Sequence, residues 1–228
     1  MDHPHCNRIE WQRLRDNREI SVLLIRHGQT EWNKERRFLG RTDIPLDDTG
    51  RTQAAKLAES IEHIPLAAIY SSPLTRAWGT AEAIAKERSR TITAVDALTE
   101  LNQGDLEGRF GIHLEQDFPD FFAAWQTDPT HVRIPGGETL AECSDRAIRG
   151  FLSIMARHEP GEPIAIVSHK VAISAILCHA LGQPIRANMA IQQHNTAVNL
   201  LGFKDGTIQA YRVNDAQHLG FEFSPEQP

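Results

Sequence analysis

Five side chains with anion-binding, nucleophilic or acidic chemistry follow four separate apolar runs of this 228-residue sequence. They are Arg26, His27, Arg76, Glu100 and His169. Two guanidinium groups near helix amino termini suit a tetrahedral dianion, because their forked donors match phosphate oxygens. A neutral imidazole is a competent nucleophile near pH 7, a protonated imidazole stabilises a transferring phosphoryl group, and a carboxylic acid protonates a leaving alkoxide. These residue types predict phosphoryl transfer in a cationic cage, without a metal ion.

The elements that must position these side chains alternate along the chain. The apolar runs predict buried strands over residues 21–25, 66–72, 91–95 and 163–168. Helical patterns cover residues 49–61, 73–85, with Pro73 in its first turn, 139–158 and 171–181. Two late runs, 197–203 and 207–213, predict an antiparallel hairpin at the sheet edge. The pattern predicts an α/β fold, a mostly parallel sheet flanked by helices on both faces, with the five side chains beyond its strand ends.

The rest of the chain is expected to form one catalytic domain and a short extension. The domain covers residues 19–228, and within it the irregular, partly helical segment 96–137 is expected to lie over the active site. Residues 1–18 are charged and lack an apolar run, so they are predicted to be an N-terminal extension. His3, His5 and Cys6 in this extension lack a fourth ligand, which argues against a metal site there.

The composition is that of an ordinary globular domain. Lys and Arg number 24 against 30 Asp and Glu, for a formal charge of −6, and 40% of residues are hydrophobic. These values exclude disordered and collagen-like chains, and the acidic balance argues against a nucleic-acid partner. The three separated cysteines are typical of free thiols, and neither a signal peptide nor a long apolar run is present. We therefore expect a cytoplasmic location, no membrane partner and an oligomeric state that the sequence leaves open.

Six sequence blocks resemble those of one known family. They are LIRHGQTEWN at 24–33, FLGRTDIPL at 38–46, SSPLTRA at 71–77, ELNQGDLEG at 100–108, PGGET at 135–139 and VSH at 167–169. A bare RHG occurs by chance in many proteins, whereas the ten-residue block followed by the others is specific. In this order, across residues 20–213, the blocks resemble the histidine phosphatase superfamily in its phosphoglycerate mutase-like branch.

The resemblance implies a role for each matching residue. His27 would be the phosphohistidine nucleophile, and Glu100 the general acid and later the base that activates water. The implied phosphate pocket consists of Arg26, Asn33, Arg76 and His169. Gln29 and Thr30 stand beside the nucleophile and are candidates for substrate contact. We also expect a backbone carbonyl to hold the second ring nitrogen of His27, with Gly28 permitting the close approach.

Lys170 departs from the family pattern, which commonly has glycines after the second histidine. A lysine at a helix start is unfavourable beside the helix dipole. One hypothesis is that Lys170 binds a second anionic group of the substrate, such as a carboxylate or another phosphate. The alternative is a solvated side chain that points away from the pocket.

The residues after Glu100 bear on the reaction type. They read LNQGDLEG, which resembles the phosphatase form, whereas mutases of the family typically carry an ERHYG-like block and longer insertions over the site. The sequence therefore predicts hydrolysis of a small phosphorylated metabolite, without a cofactor. Mutase-type phosphoryl transfer and a non-catalytic phosphometabolite-binding protein are the alternatives. Phosphoglycerates, sugar phosphates and α-ribazole phosphate all remain open as substrates.

Overall fold

A six-stranded sheet forms the centre of the computed structural model, which describes residues 18–86, 88 and 90–221. Its strands are β1 (Ile20–Arg26), β2 (Ala68–Ser71), β3 (Ile92–Ala94), β4 (Ile164–Ser168), β5 (Val198–Lys204) and β6 (Thr207–Asp215). Their order is β3-β2-β4-β1-β5-β6. The first four strands in that order are parallel, whereas β5 runs antiparallel to both β1 and β6. The predicted parallel sheet with an edge hairpin is confirmed.

Helices cover both faces of the sheet. They are α1 (Glu31–Glu35), α2 (Asp48–Ser60), α3 (Thr75–Ala85), α4 (Gly111–Asp117), α5 (Pro119–Thr127), α6 (Leu140–Met155) and α7 (Lys170–Ala180). Alternate strand residues point to opposite faces. Leu24 and Ile166 pack with residues of α6 and α7 in one core, and Ile25 and Val167 pack with residues of α2 and α3 in the other. The predicted α/β architecture is confirmed.

Capping residues explain where several of these helices begin and end. The Asp47 carboxylate accepts the Gly50 N–H at 2.7 Å at the start of α2, and Thr139 begins α6 with a capping box. Gly182, with φ of 63°, follows α7 in the left-handed conformation that often ends a helix. The prediction that Pro73 lies in the first turn of α3 is wrong, because the helix begins at Thr75, after Leu74 as N-cap.

The segment 96–137 is partly helical, as predicted. It contains single 3₁₀ turns at Asp96–Leu98 and Gly104–Leu106 before α4 and α5. Its buried residues Leu101, Leu106 and Leu114 form a third core together with residues at the starts of α6 and α7.

Three predictions concern the termini and the cellular context. The predicted extension 1–18, with His3, His5 and Cys6, lies outside the described part of the chain except for residue 18, so the domain division stays a prediction. None of the described helices is long and apolar enough to cross a membrane. The cytoplasmic location stays a prediction.

Candidate active site

Three neighbouring strands deliver residues to one rim of the sheet. His27 follows β1, His169 follows β4 and Ser72 follows β2. The His27 N–H donates to the Ser168 carbonyl at 3.0 Å, which continues the parallel pairing one residue past the strand end. As a result the rings of His27 and His169 lie with their centroids 5.1 Å apart.

The His27 ring is held in one orientation and one tautomer. Its Nδ1 donates to the Gly28 carbonyl oxygen at 2.7 Å, so the lone pair resides on Nε2. A Cβ on Gly28 would lie 2.6 Å from the Gly50 carbonyl oxygen, so only glycine fits this approach to the start of α2. Burial, followed by the positive charges of Arg76 and Arg26, lowers the pKa of His27 well below the usual histidine range. His27 is therefore neutral at physiological pH, the form in which an imidazole can act as a nucleophile.

His169 is oriented by a hydrogen bond to Ser72. It is fully buried, with Nε2 2.8 Å from the Ser72 hydroxyl. The Leu74 N–H donates to that hydroxyl at 3.3 Å, which favours a Ser72 O–H that donates to His169. The proton then lies on Nδ1, which has no hydrogen-bond partner among the described residues. Burial, followed by the charge of Arg76, lowers the pKa of His169 well below its usual range. This favours the neutral imidazole over the protonated form, which the sequence left as one possibility.

Arg76 is a fully buried guanidinium at the start of α3. Two of its nitrogens donate to backbone carbonyls, Nη1 to Thr42 at 3.0 Å and Nη2 to Gly40 at 2.6 Å. The Glu107 carboxylate holds this loop by accepting the N–H groups of Arg41 at 2.8 Å and Thr42 at 2.7 Å. The remaining nitrogen, Nε, has no partner among the described residues. Arg76 is thus rigidly oriented and keeps donor capacity for an anion.

Arg26, the last residue of β1, is the second cation of the site. Its Nη1 donates to the Gln193 carbonyl at 2.6 Å, and its buried Nε has no partner in the described part of the chain. Burial lowers the pKa of both Arg26 and Arg76 to about 10, and the negative charge of Glu100 opposes this shift. Both guanidinium groups therefore stay positively charged at neutral pH.

Glu100 is buried beside the start of α7. Its carboxylate accepts the N–H groups of Leu101 at 2.8 Å and Val171 at 3.1 Å. Burial raises the pKa of Glu100, although these hydrogen bonds and the nearby arginines act in the opposite direction. A raised pKa favours the protonated form, which a general acid needs.

Three further candidates lie in the turn after His27 and in α1. The Gln29 amide donates to Asp47 at 3.0 Å, which ties this turn to the start of α2. Thr30 is the buried N-cap of α1 and forms a reciprocal capping box with Asn33. These bonds give the side chains a structural role, and their predicted contacts with substrate stay predictions.

Two residues of the site were missed by the sequence reasoning. Ser72 lies within one of the family blocks but was given no role. Asn195 donates to the His27 carbonyl at 3.1 Å from the loop before β5. Because β5 runs antiparallel to β1, its start lies at the rim where β1 ends. The sequence predicted the hairpin but not its antiparallel pairing with β1, so it carried no signal that placed this loop at the site.

The described residues offer no obvious metal centre. No group of three or more His, Cys, Asp or Glu side chains among them is arranged to hold a metal ion. Burial raises the pKa of the Cys143 thiol, so this side chain is a poor thiolate ligand.

A family model matches the part of the sequence that contains this site. The model of the histidine phosphatase superfamily, branch 1, matches residues 22–216, which covers both histidines, both arginines and Glu100. This chain belongs to that superfamily. The family prediction made from the sequence blocks is therefore confirmed.

Individual relatives of this histidine phosphatase span nearly the same length. Phosphoserine phosphatase 1 of Hydrogenobacter thermophilus is 29% identical over 201 residues, 88% of this chain and 95% of that protein. A probable phosphoglycerate mutase, GpmB of Salmonella choleraesuis, is 32% identical over 186 residues, which are 82% of this chain and 86% of that protein. Among solved structures, Bacillus stearothermophilus YhfR has a TM-score of 0.82 at 32% identity, covering 88% of this chain and 99% of its own. A mutant of phosphoserine phosphatase from Entamoeba histolytica was solved in complex with phosphoserine. It has a TM-score of 0.79 at 28% identity, and the match covers 88% of this chain and 99% of that protein's chain. The phosphatases among them support the predicted class, a phosphomonoesterase.

The anchoring of Arg76 predicts that lysine cannot replace it. We expect Arg76→Lys to lower kcat/KM for p-nitrophenyl phosphate about 100-fold, the usual effect of removing one transition-state donor. A single ammonium cannot hold the Gly40 and Thr42 carbonyls and also face the phosphoryl group. Steady-state kinetics test this, with Arg51→Lys as the control, because Arg51 is an exposed arginine that also donates to a carbonyl. Equal activity of the two variants would contradict the prediction.

Proposed function

We propose that this histidine phosphatase hydrolyses small phosphomonoesters through a covalent phosphohistidine on His27, without a metal ion. Nε2 of His27 attacks phosphorus as the bond to the ester oxygen breaks, and Glu100 gives its proton to the leaving alkoxide. Water then attacks the phosphohistidine and loses a proton to Glu100. The second step releases inorganic phosphate and restores both residues.

One observation carries this proposal. Buried nitrogen atoms of Arg26, Arg76 and His169 have no hydrogen-bond partner among the described residues. The His169 ring centroid lies 5.1 Å from that of His27, and the charges of both arginines act on His27, whose tautomer exposes a lone pair on Nε2. Buried donors normally have partners. A tetrahedral phosphoryl group would satisfy these donors, and its developing negative charge would be stabilised by the two guanidinium groups.

Hydrolysis is favoured over mutase activity by the residues after Glu100. Gln103 and Glu107 are part of a tight loop in which the Glu107 carboxylate accepts the Gln103 N–H at 3.2 Å. The sequence of this loop resembles the phosphatase form. A probable mutase among the relatives keeps phosphoryl transfer between hydroxyl groups as the second candidate.

The proposal is tested by trapping the intermediate. Protein treated with EDTA is mixed with ³²P-labelled substrate and quenched, and the label is expected on His27 as acid-labile, base-stable phosphate. Activity that disappears on metal removal, or label that never appears on this residue, would contradict the proposed mechanism.

We further propose that the substrate carries a second anionic group near its phosphate, bound by Lys170. Lys170 is the half-buried first residue of α7, directly after His169, and its amine has no hydrogen bond or ion pair with the described residues. Burial and the charge of Arg26 lower its pKa while Glu100 raises it, which indicates that the three groups lie within electrostatic reach. Phosphorylated amino acids and phosphorylated hydroxy acids fit this description.

Replacing Lys170 with alanine is expected to reduce activity more for substrates that carry a second anionic group than for those that lack one. Lys170→Ala should lower kcat/KM about tenfold or more for phosphoserine or 3-phosphoglycerate, the effect of one lost charged hydrogen bond. The loss for p-nitrophenyl phosphate should be several times smaller, because this ester has no second anion. A panel of phosphorylated metabolites provides the measurement, and Lys204→Ala, at the exposed end of β5, is the control. Equal losses for both kinds of substrate would contradict this role of Lys170.

A further inference from the structure

A short loop on the far side of β1 supports two residues of the candidate site. It covers residues 193–197 and leads into β5. The Gln193 carbonyl accepts Nη1 of Arg26 at 2.6 Å. The His27 carbonyl accepts the Asn195 amide at 3.1 Å and the Thr196 N–H at 3.3 Å. The position of this loop therefore determines where Arg26 can lie.

A buried pair of amides holds the loop in place. The Gln193 amide donates to the Asn199 oxygen at 2.9 Å, and the Asn199 amide donates back to the Gln193 oxygen at 2.8 Å. Asn199 is fully buried in β5. Its second N–H donates to the Leu24 carbonyl at 2.9 Å, and its oxygen also accepts the Asn214 N–H at 2.8 Å. All four hydrogen-bonding positions of the Asn199 amide are thus filled.

This pair connects the two backbone segments that orient one guanidinium group. Leu24 lies two residues before Arg26 on β1, while Gln193 supplies the carbonyl to which Arg26 donates. A fully satisfied buried polar network specifies one arrangement of the groups that it joins. An apolar pair would fill the same space without fixing the angle of the Gln193 carbonyl.

We infer that Gln193 and Asn199 are positioning residues, whose reciprocal amide pair holds Arg26 at the angle needed to bind the transferring phosphoryl group. Neither side chain touches the reacting atoms in this account. The inference rests on the proposed function, since it assumes that Arg26 binds phosphate.

The test removes the amide and keeps the backbone carbonyl. Gln193→Met is expected to lower kcat/KM for p-nitrophenyl phosphate about tenfold and to raise the inhibition constant of inorganic phosphate by a similar factor. The matched control is Asn188→Leu, because Asn188 is also a buried amide, and its hydrogen bond, to the Ile185 carbonyl at 2.8 Å, stays within its own turn. This control is expected to lower Tm and leave the inhibition constant unchanged.

A second measurement tests whether the loss of kcat/KM in Gln193→Met depends on Arg26. In an Arg26→Ala background, adding Gln193→Met should change kcat/KM less than twofold, because the group that Gln193 positions is already gone. If Gln193→Met does not fold, Gln193→Ala replaces it, since Gln193 is 6% exposed and water can enter the vacated space to hydrate Asn199.

Two results would overturn the inference while leaving the proposed function intact. One is a Gln193 variant with lower Tm but an unchanged inhibition constant for phosphate, as expected for a merely structural role. The other is a full tenfold loss in the Arg26→Ala background. Failure of the unaltered protein to bind phosphate or hydrolyse the ester would instead refute the proposed function, and the inference with it.

Discussion

Replacing His27 with alanine is expected to lower kcat for p-nitrophenyl phosphate by about 10⁵-fold or more, the scale seen when a catalytic nucleophile is removed. The substitution removes Nε2, the only atom to which the proposed mechanism transfers the phosphoryl group. The cationic cage would remain, so the variant should still bind inorganic phosphate. Stopped assays on EDTA-treated protein, together with phosphate binding by calorimetry, would measure both quantities.

The control for this experiment is a histidine outside the site. His179 is exposed near the end of α7, and His179→Ala should retain full activity and incorporate label from ³²P-substrate. If His27→Ala kept a large part of the activity, or still incorporated acid-labile phosphate, another nucleophile would have to be sought. Loss of phosphate binding as well as activity would indicate that the alanine variant had lost the cage and not only its nucleophile.

The sequence was informative about this site because each of its main residues lies at the end of a strand or in the segment that follows one. Continuous apolar runs marked β1 and β4, and the carboxyl ends of parallel strands share one edge. The positions of His27 and His169 at those ends were therefore sufficient to predict that the two side chains lie close together. Their ring centroids lie 5.1 Å apart. The expected backbone carbonyl at the His27 ring is present and belongs to Gly28. The structure adds a different reason for glycine there, since the close approach to α2 leaves no space for a side chain.

Features that depend on hydrogen-bond direction could not be predicted in this way. The neutral state of His169 depends on burial and on the Ser72 hydroxyl, neither of which is visible in a residue pattern. The carbonyl that accepts a hydrogen bond from Arg26 belongs to Gln193, which is 167 residues away along the chain. Strand propensity predicts that β5 exists. To predict that its first residue lies beside the site, one must also know that β5 pairs with β1 in the antiparallel sense.

Glu100→Gln is expected to discriminate between substrates by their leaving groups. For an alkyl phosphate, kcat/KM should fall about 1,000-fold, within the usual contribution of a general acid, because an alkoxide leaves poorly without a proton. For p-nitrophenyl phosphate, kcat/KM should fall less than tenfold, since the phenolate leaves unaided. The kcat for this ester should still decrease, because Glu100 is also proposed to activate water. A burst of nitrophenol and an accumulated phosphohistidine, measured by rapid quench, are the expected signs.

The pH dependence of the same variant provides the second part of this prediction. Because burial raises the pKa of Glu100, the acid form persists above the ordinary carboxylic range, and alkyl phosphate hydrolysis should decrease as pH rises through that pKa. Since the pKa of His27 is lowered, its protonation should affect activity only below the ordinary histidine range. Glu100→Gln should abolish the alkaline decrease, whereas Glu59→Gln, an exposed control on α2, should keep it. The comparison holds substrate ionisation constant, so a decrease that persisted in Glu100→Gln would have to come from another group.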